Sequence, residues 1–255
     1  MRLLFLGDVV GAAGSEFVAS KLRSIKSFYG IDVTVVNGEN SANGNGITPY
    51  SAKYLFDGGA DIITTGNHCY RRREIYEMME SEEFLLRPAN FPEGNPGHGY
   101  CVYDMGSCRI AVINLMGTVF MEALDNPFAA ADRILEKLDT PNIFVDFHAE
   151  ATGEKKALGF YLAGRVTAVF GTHTHVQTAD ETILSGHTGY ITDAGMCGPE
   201  ESVLGVKTEI AIEKQRFHSP VKFAESDNPP FINGVMAEFC NNNGKCVKIE
   251  RVIIR

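Results

Sequence analysis

The chain has 255 residues, with 23 Lys plus Arg against 32 Asp plus Glu, for a formal charge of −9. Hydrophobic residues make up 44% and charged residues 22%, enough apolar matter to offset the entropy of ordering and too much for a disordered chain. The acidic balance excludes a protein whose affinity comes from neutralising many phosphates of long DNA or RNA, and it leaves open a small anion held by a local positive centre.

The apolar run Leu3–Gly7 reads as a buried strand. Asp8 interrupts it, and neither an apolar h-region nor a cleavage site follows, so it is not read as a signal peptide and the protein is expected to be cytoplasmic. No stretch approaches the roughly 18 unbroken apolar residues that span a bilayer, so no membrane partner is expected. Phe17, Val18, Leu22, Ile25 and Phe28 recur near helical spacing, predicting a helix from Glu16 to Phe28. Ile31–Asn37 is β-branched and reads as a strand; an Asn- and Gly-rich loop then leads to Thr48-Pro49, an N-cap with proline at the first helical position. Asp61–Thr65 follows as a strand and Arg71–Glu80 as a helix. The Pro- and Gly-bearing stretch from Arg87 to Gly99 reads as a long surface connection, and Tyr100–Tyr103 with Arg109–Leu115 as a hairpin. A helix from Asn126-Pro127 to about Leu138, a strand at Ile143–Phe147, a helix at Glu154–Ala163 and a strand at Val166–Phe170 complete the alternating part. From Thr182 onward the short segments read as antiparallel sheet, ending in a strand at Cys246–Ile254. The whole, residues 1–255, is expected to be a single domain with a mixed sheet, or two sheets face to face, and helices outside. The six cysteines contain no C-x-x-C pair and are expected to be free thiols.

Polar residues fall where these strands stop. Asp8 follows the first strand, Glu39 and Asn40 the second, Asn67 and His68 the third, His148 the strand ending at Phe147, and His173 and His175 the strand ending at Phe170. The carboxyl ends of parallel strands line one edge of an α/β sheet, where ligands bind. Asp8, Glu39 or Asn67 alone could be a turn or capping residue, and His148 alone a satisfied core histidine; together they make a metal-ligand constellation. If the backbone of the His-x-His pair is extended, both imidazoles project from one face. Glu39 could bridge two cations, whose charge would attract a phosphate ester and acidify bound water. Imidazole, carboxylate and amide oxygen suit iron, manganese or zinc alike. The glycines of Gly7–Gly14 have the wrong spacing for a dinucleotide fingerprint. Arg71, Arg72 and Arg73 are either a solvated helix start or the source of one substrate contact, and His98, His187 and His218 read as solvated.

Asp8, Gly38-Glu39-Asn40, Gly66-Asn67-His68, His148 and Gly171-Thr172-His173-Thr174-His175 resemble the ordered blocks of the calcineurin-like metallophosphoesterases. Val10 stands where the first block usually has histidine, Glu39 replaces the bridging aspartate, and Cys69 replaces the acidic residue after Asn-His. With the stretches GDVVG, NGENSANGNG, TGNHCY, VDFHAEATGEK and GTHTHVQTADE, the chain resembles the YmdB-like bacterial subgroup over almost its whole length. The resemblance implies a four-layer α/β/β/α sandwich with two mixed sheets, two metal ions per chain with iron favoured, and a homo-oligomer, dimer or tetramer. It implies one ion on Asp8, Glu39, Asn40 and His175, the other on Glu39, Asn67, His148 and His173, and His68 as the catalytic residue outside both sets. The expected activity is hydrolysis of small cyclic nucleotides, of the 2′,3′-cyclic nucleotide 2′-phosphodiesterase type, by attack of a metal-bound hydroxide. The alternatives are a phosphomonoesterase or phosphoprotein phosphatase, or a non-catalytic nucleotide- or metal-sensing regulator.

Overall fold

A computed structural model describes residues 1–255. The alternating half builds β1 (Arg2–Leu6), β2 (Asp8–Val9), α1 (Gly11–Tyr29), β3 (Val33–Asn37), α2 (Pro49–Gly58), β4 (Ile62–Thr64) and the short α3 (Tyr76–Ser81). Then come β5 (Tyr100–Asp104), β6 (Arg109–Met116), α4 (Pro127–Leu135), β7 (Ile143–His148), α5 (Thr152–Leu162) and β8 (Ala168–Thr172). The remainder holds β9 (Thr182–Leu184), β10 (Thr188–Ile191), β11 (Met196–Pro199), α6 (Thr208–Phe217), β12 (Pro230–Cys240) and β13 (Lys245–Ile254).

Two mixed sheets form. One runs β2-β11-β12-β1-β3-β4 with β13 on the other edge of β12; the other runs β5-β6-β7-β8-β10-β9. Period-two alternation explains how they stack. Leu3 and Phe5 of β1, with Val33 and Val35 of β3, point into a buried layer shared with Ile110, Val112, Phe144 and Phe170 of the second sheet. Phe5 stacks on Phe170 with ring centroids 4.6 Å apart in that layer; full burial of such a side chain contributes roughly 1.5–3 kcal/mol. Leu4 and Leu6 point the other way, onto Val18, Leu22 and Ile25 of α1 and Leu55 of α2. On the far side, Ile113, Val145 and Phe147 meet Ala130 and Ile134 of α4 and Leu158 and Leu162 of α5. The result is the expected α/β/β/α sandwich.

Thr48 caps α2 as its sequence predicts: Ser51 N–H donates to Thr48 Oγ1 at 3.1 Å and Thr48 N–H to Ser51 Oγ at 3.0 Å, an arrangement worth about 1 kcal/mol. Gly7 separates β1 from β2 because a Cβ there would lie 1.9 Å from the Gly195 carbonyl oxygen. The chain can therefore shift from pairing with β12 to pairing with β11, and this carries Asp8 to the sheet edge.

Three expectations need correction. The helix over 71–80 begins as a 3-10 turn, Arg73–Ile75, and becomes α-helical only at Tyr76, because the Arg run offers no apolar stripe and the core contacts come from Ile75 onward, through Ile75, Tyr76, Met78 and Met79. The 87–99 connection is not merely superficial: Asn90 is fully buried and donates to the Met116 and Asp125 carbonyls, supplying the partners a buried loop needs. The last third is not purely antiparallel. β10 pairs parallel to β8, and β11 parallel to β2. It also contains α6, whose single buried residue, Ala211, leaves no apolar periodicity to read. All six cysteines are free, as expected. No helix is long and apolar enough to cross a membrane.

Candidate metal centre

The parallel strands β1, β3 and β4 of one sheet and β7 and β8 of the other end at the same rim. Beneath it the sheets are tied by Asp146 on β7, whose Oδ2 accepts from Asn37 Nδ2 of β3 at 2.9 Å and from Thr64 Oγ1 of β4 at 2.5 Å. Burial raises the Asp146 carboxyl to about 7 despite these donors. Two residues further on, His148 is fully buried. Its Nδ1 lies 2.9 Å from Thr172 Oγ1, and that hydroxyl donates to Asp146 Oδ1 at 2.7 Å. Since the hydroxyl proton is committed to Asp146, His148 Nδ1 carries the hydrogen and its Nε2 presents a lone pair.

Around that lone pair stand Asn67 Oδ1 at 2.9 Å, His173 Nδ1 at 3.0 Å and Glu39 Oε2 at 3.2 Å. Ligand atoms of Glu39, His148 and His173 all lie within 4.8 Å of one another. The other His173 nitrogen, Nε2, is 3.2 Å from Glu150 Oε2, which orients the ring as an outer carboxylate orients a metal-binding histidine. Gly66 makes room for this convergence: a Cβ there would sit 2.3 Å from His148 Nε2 and 2.4 Å from Glu39 Oε2.

A second group of atoms gathers around Asp8, also fully buried. Its Oδ2 accepts from His173 N–H at 3.1 Å, whereas Oδ1 has no hydrogen-bond partner. His148 Nδ1 lies 3.7 Å from Oδ1 and His175 Nε2 3.9 Å from it. His175 Nδ1 is engaged by the Leu204 carbonyl at 3.2 Å, so its Nε2 also faces inward as an acceptor. An unpartnered buried carboxylate oxygen is costly unless a cation sits against it, and this orphaned oxygen beside an imidazole lone pair fits one. Asn40 adjoins the group: its Nδ2 donates to Glu39 Oε1 at 2.6 Å, and its Oδ1 faces His68 Nδ1 at 2.9 Å.

Electrostatics agree with a buried cation site. Burial, with Glu39 and Asp193 nearby, pushes the Asp8 carboxyl well up. Burial also opposes ionisation of Glu39, but the His148 ring and the His68 donors outweigh it and bring that group to about 2. Burial lowers His148 to about 3 and depresses His173 and His175 as well, so the rings are neutral at pH 7 with lone pairs available.

His68 stands just outside. Its Nδ1 meets two acceptors, Asn40 Oδ1 and Glu39 Oε1 at 3.2 Å, and so carries hydrogen. Cys69 takes no part in holding it. That thiol is buried in the α1/α2 core, and burial drives its pKa up. The His-x-His geometry differs from the expectation: β8 stops at Thr172, and His173 and His175 adopt φ of +101° and +65°. The two rings are therefore separated, one toward His148 and one toward Asp8, and do not share the face of an extended strand. The arginines divide similarly. Arg72 is spent on the Asn43 and Asn45 carbonyls, at 2.6 and 3.1 Å, while Arg71 lines a cleft of about 380 Å³ with His68, Asn40 and His175. His98 and His218 are exposed and His187 half-buried. The sequence does not single out Thr172, Asp146, Glu150 or Leu204; of these, only the acidic residues two before and two after His148, Asp146 and Glu150, carry a side-chain signal of the right kind.

Two face-to-face mixed sheets between helices, with imidazoles, carboxylates and amides at the carboxyl ends of both sets of parallel strands, define a metallophosphoesterase. The chain belongs to the YmdB-like family within that class: the model of this family, described as YmdB-like protein, matches residues 4–252. It is 45% identical over 256 residues to the 2′,3′-cyclic-nucleotide 2′-phosphodiesterase of Bacillus subtilis (strain 168), covering 100% of this chain and 97% of the relative. A crystal structure of a hypothetical protein from Thermus thermophilus superimposes with a TM-score of 0.93 at 37% identity, over 99% of this chain and 98% of the other. That of a novel phosphatase from Mycoplasma pneumoniae gives 0.94 at 36% identity, over 100% and 93%.

Proposed function

We propose that the protein is a dimetal phosphodiesterase that hydrolyses small cyclic nucleotides, of the 2′,3′-cyclic nucleotide 2′-phosphodiesterase type. The observation that carries the reading is the orphaned Asp8 Oδ1 beside the neutral His175 ring, adjacent to the four convergent groups Glu39, Asn67, His148 and His173. Asp8, Glu39, Asn40 and His175 would hold one ion, and Glu39, Asn67, His148 and His173 the other, with Glu39 shared. Bound divalent ions would neutralise charge on the phosphoryl oxygens and acidify a water to give the nucleophile. The name of the 45% identical relative supports the substrate class. The donor set accepts iron, manganese or zinc.

His68 does the remaining proton work. With Nδ1 held by Asn40 and Glu39, its Nε2 is the ring atom free of protein partners in the cleft. Protonated there, it gives its proton to the departing 2′ oxygen of the ribose, leaving a 3′-phosphate. The same reading takes the protein as a single-domain, cytoplasmic homo-oligomer.

The test is a rate comparison on metal-analysed, anaerobically purified protein. A 2′,3′-cyclic nucleotide should turn over to the 3′-phosphate, a chelator should abolish turnover, and Fe²⁺ or Mn²⁺ should restore it. Faster hydrolysis of a monoester with the same leaving group would reassign the protein as a phosphatase. Tight nucleotide binding without product would make it a regulator.

A further inference from the structure

The cleft beside the metal centre has a second wall that the chemistry of phosphate does not require. Its floor is Asn40, His68 and His175; its far side is a strap made of Leu204–Val206 and Phe223–Glu225. The strap is built, not loose. Val206 and Glu225 form an antiparallel bridge, with Lys207 N–H donating to the Ala224 carbonyl at 3.0 Å and Ser226 N–H to that of Gly205 at 2.9 Å. Glu225 then ties the strap to the Asn- and Gly-rich loop: its Oε1 accepts from Gly44 N–H at 2.9 Å, and its Oε2 lies where a Cβ on Gly11 would be, 2.0 Å away. The Leu204 carbonyl orients His175, so strap and centre are one assembly.

Two side chains on the cleft have no partner in the fold. Phe223 is 58% exposed although it sits on a pinned segment, and it stacks on no other ring. Arg71 is exposed and in no ion pair, although acids outnumber bases in the chain. A free aromatic face and a free guanidinium beside the candidate metal centre are the groups that a nucleoside phosphate uses: a base stacks on the ring, and an arginine binds phosphoryl oxygen. The volume, about 380 Å³, lies at the small-ligand end of the roughly 300–1,000 Å³ usual for such pockets.

We propose that this cleft is the nucleoside subsite of the enzyme, with the base of the cyclic nucleotide on the Phe223 ring and Arg71 on a non-bridging phosphoryl oxygen. The inference rests on the phosphodiesterase reading above and adds to it what selects a nucleotide over any other diester.

The subsite separates two effects. Phe223→Ser should raise KM for a 2′,3′-cyclic nucleotide by roughly 5- to 150-fold, the worth of one base–aromatic stack. It should leave KM for ribose 2′,3′-cyclic phosphate, the same cyclic diester without a base, within about twofold, because that substrate has no ring to stack. Arg71→Ala should raise KM for both substrates, with metal content unchanged in both variants. Equal KM changes on the two substrates in Phe223→Ser, or none, would overturn the subsite while leaving the phosphodiesterase intact. If the metal-loaded parent protein hydrolysed neither diester, the function itself would be wrong, and the subsite with it.

Discussion

Lys155 Nζ on α5 lies 2.6 Å from Asp193 Oδ2, and both side chains are essentially sealed from solvent, at 1% and 0% exposure. Asp193 also accepts from Thr174 N–H at 3.1 Å, Thr174 Oγ1 at 2.8 Å and Gly195 N–H at 2.8 Å. Thr174 is the residue between His173 and His175, so a buried ion pair, its carboxylate holding three further hydrogen bonds, anchors the turn that sends one imidazole to each half of the centre. Its positive φ angles are unfavourable for L residues, and such backbone persists only where the surroundings fix it.

Asp193→Asn keeps the shape and removes the charge, leaving Lys155 buried and unpaired. Breaking one side of such a pair costs about 3–5 kcal/mol. Urea denaturation should show that loss, and the double variant Lys155→Met/Asp193→Asn should recover much of it. A single variant as stable as the parent would mean that the pair does not anchor the turn.

His68→Ala should reduce kcat by about 10²- to 10⁴-fold, the usual contribution of a positioned acid, while metal content stays at the parent level. The reason is geometric: His68 supplies no atom to either convergent group, and because the variant also loses the Nδ1 bonds to Asn40 and Glu39, metal content is compared at saturating metal, where a weaker affinity does not empty the site. Metal loss in parallel with activity would put His68 among the ligands.

Thr172→Val is nearly isosteric but cuts the link from Asp146 to His148. The ring is then free to turn or change tautomer, and outer partners of this kind are typically worth about 10- to 100-fold in metal affinity. Competition with a chromophoric chelator measures that affinity directly; an unchanged value would show that packing alone fixes the ring.

Much of this centre was readable before any fold was known, because strand-terminal positions are defined by where apolar runs stop. Asp8, Glu39, Asn67 and His148 each follow such a run, and the parallel topology gathers them. The groups that orient the imidazoles were not readable. Leu204 acts through its backbone carbonyl, which has no residue signature, and Thr172 looks like any strand residue until it is seen between His148 and Asp146. The divergence of His173 and His175 depends on left-handed backbone that favours glycine, which no histidine-bearing sequence advertises. α6 escaped for a different reason: it buries one residue, so its sequence carries no amphipathic period.

Gly66→Ala tests whether the convergence has room to spare. The new methyl would lie 2.2–2.4 Å from His148 and Glu39 atoms, both buried and unable to retreat. The variant should keep its far-ultraviolet circular dichroism and lose bound metal and turnover together. Full metal occupancy would show that the rim relaxes more than its packing suggests.

The chelated, metal-free protein should be acid-sensitive well before ordinary carboxylates protonate. His148 titrates near 3 in the fold against about 6.5 when unfolded, and His173 and His175 are depressed in the same direction. Between those values the unfolded chain binds protons that the folded chain refuses, so stability falls as pH drops below about 6.5. Glu39, near 2 against 4.5, adds to the loss below about pH 4.5. Asp8 works the other way, since its raised pKa lets the fold keep a proton that the unfolded chain releases above 3.8. Asp146, raised to about 7, opposes the decline as Asp8 does; three imidazoles against two carboxyls still leave a net decline, so the urea midpoint of chelated protein should fall gently from about pH 6.5 to about pH 5. His148→Gln, which removes the most depressed ring, should flatten that slope; a parent profile already flat over this range would mean that the buried imidazoles accept protons without cost to the fold.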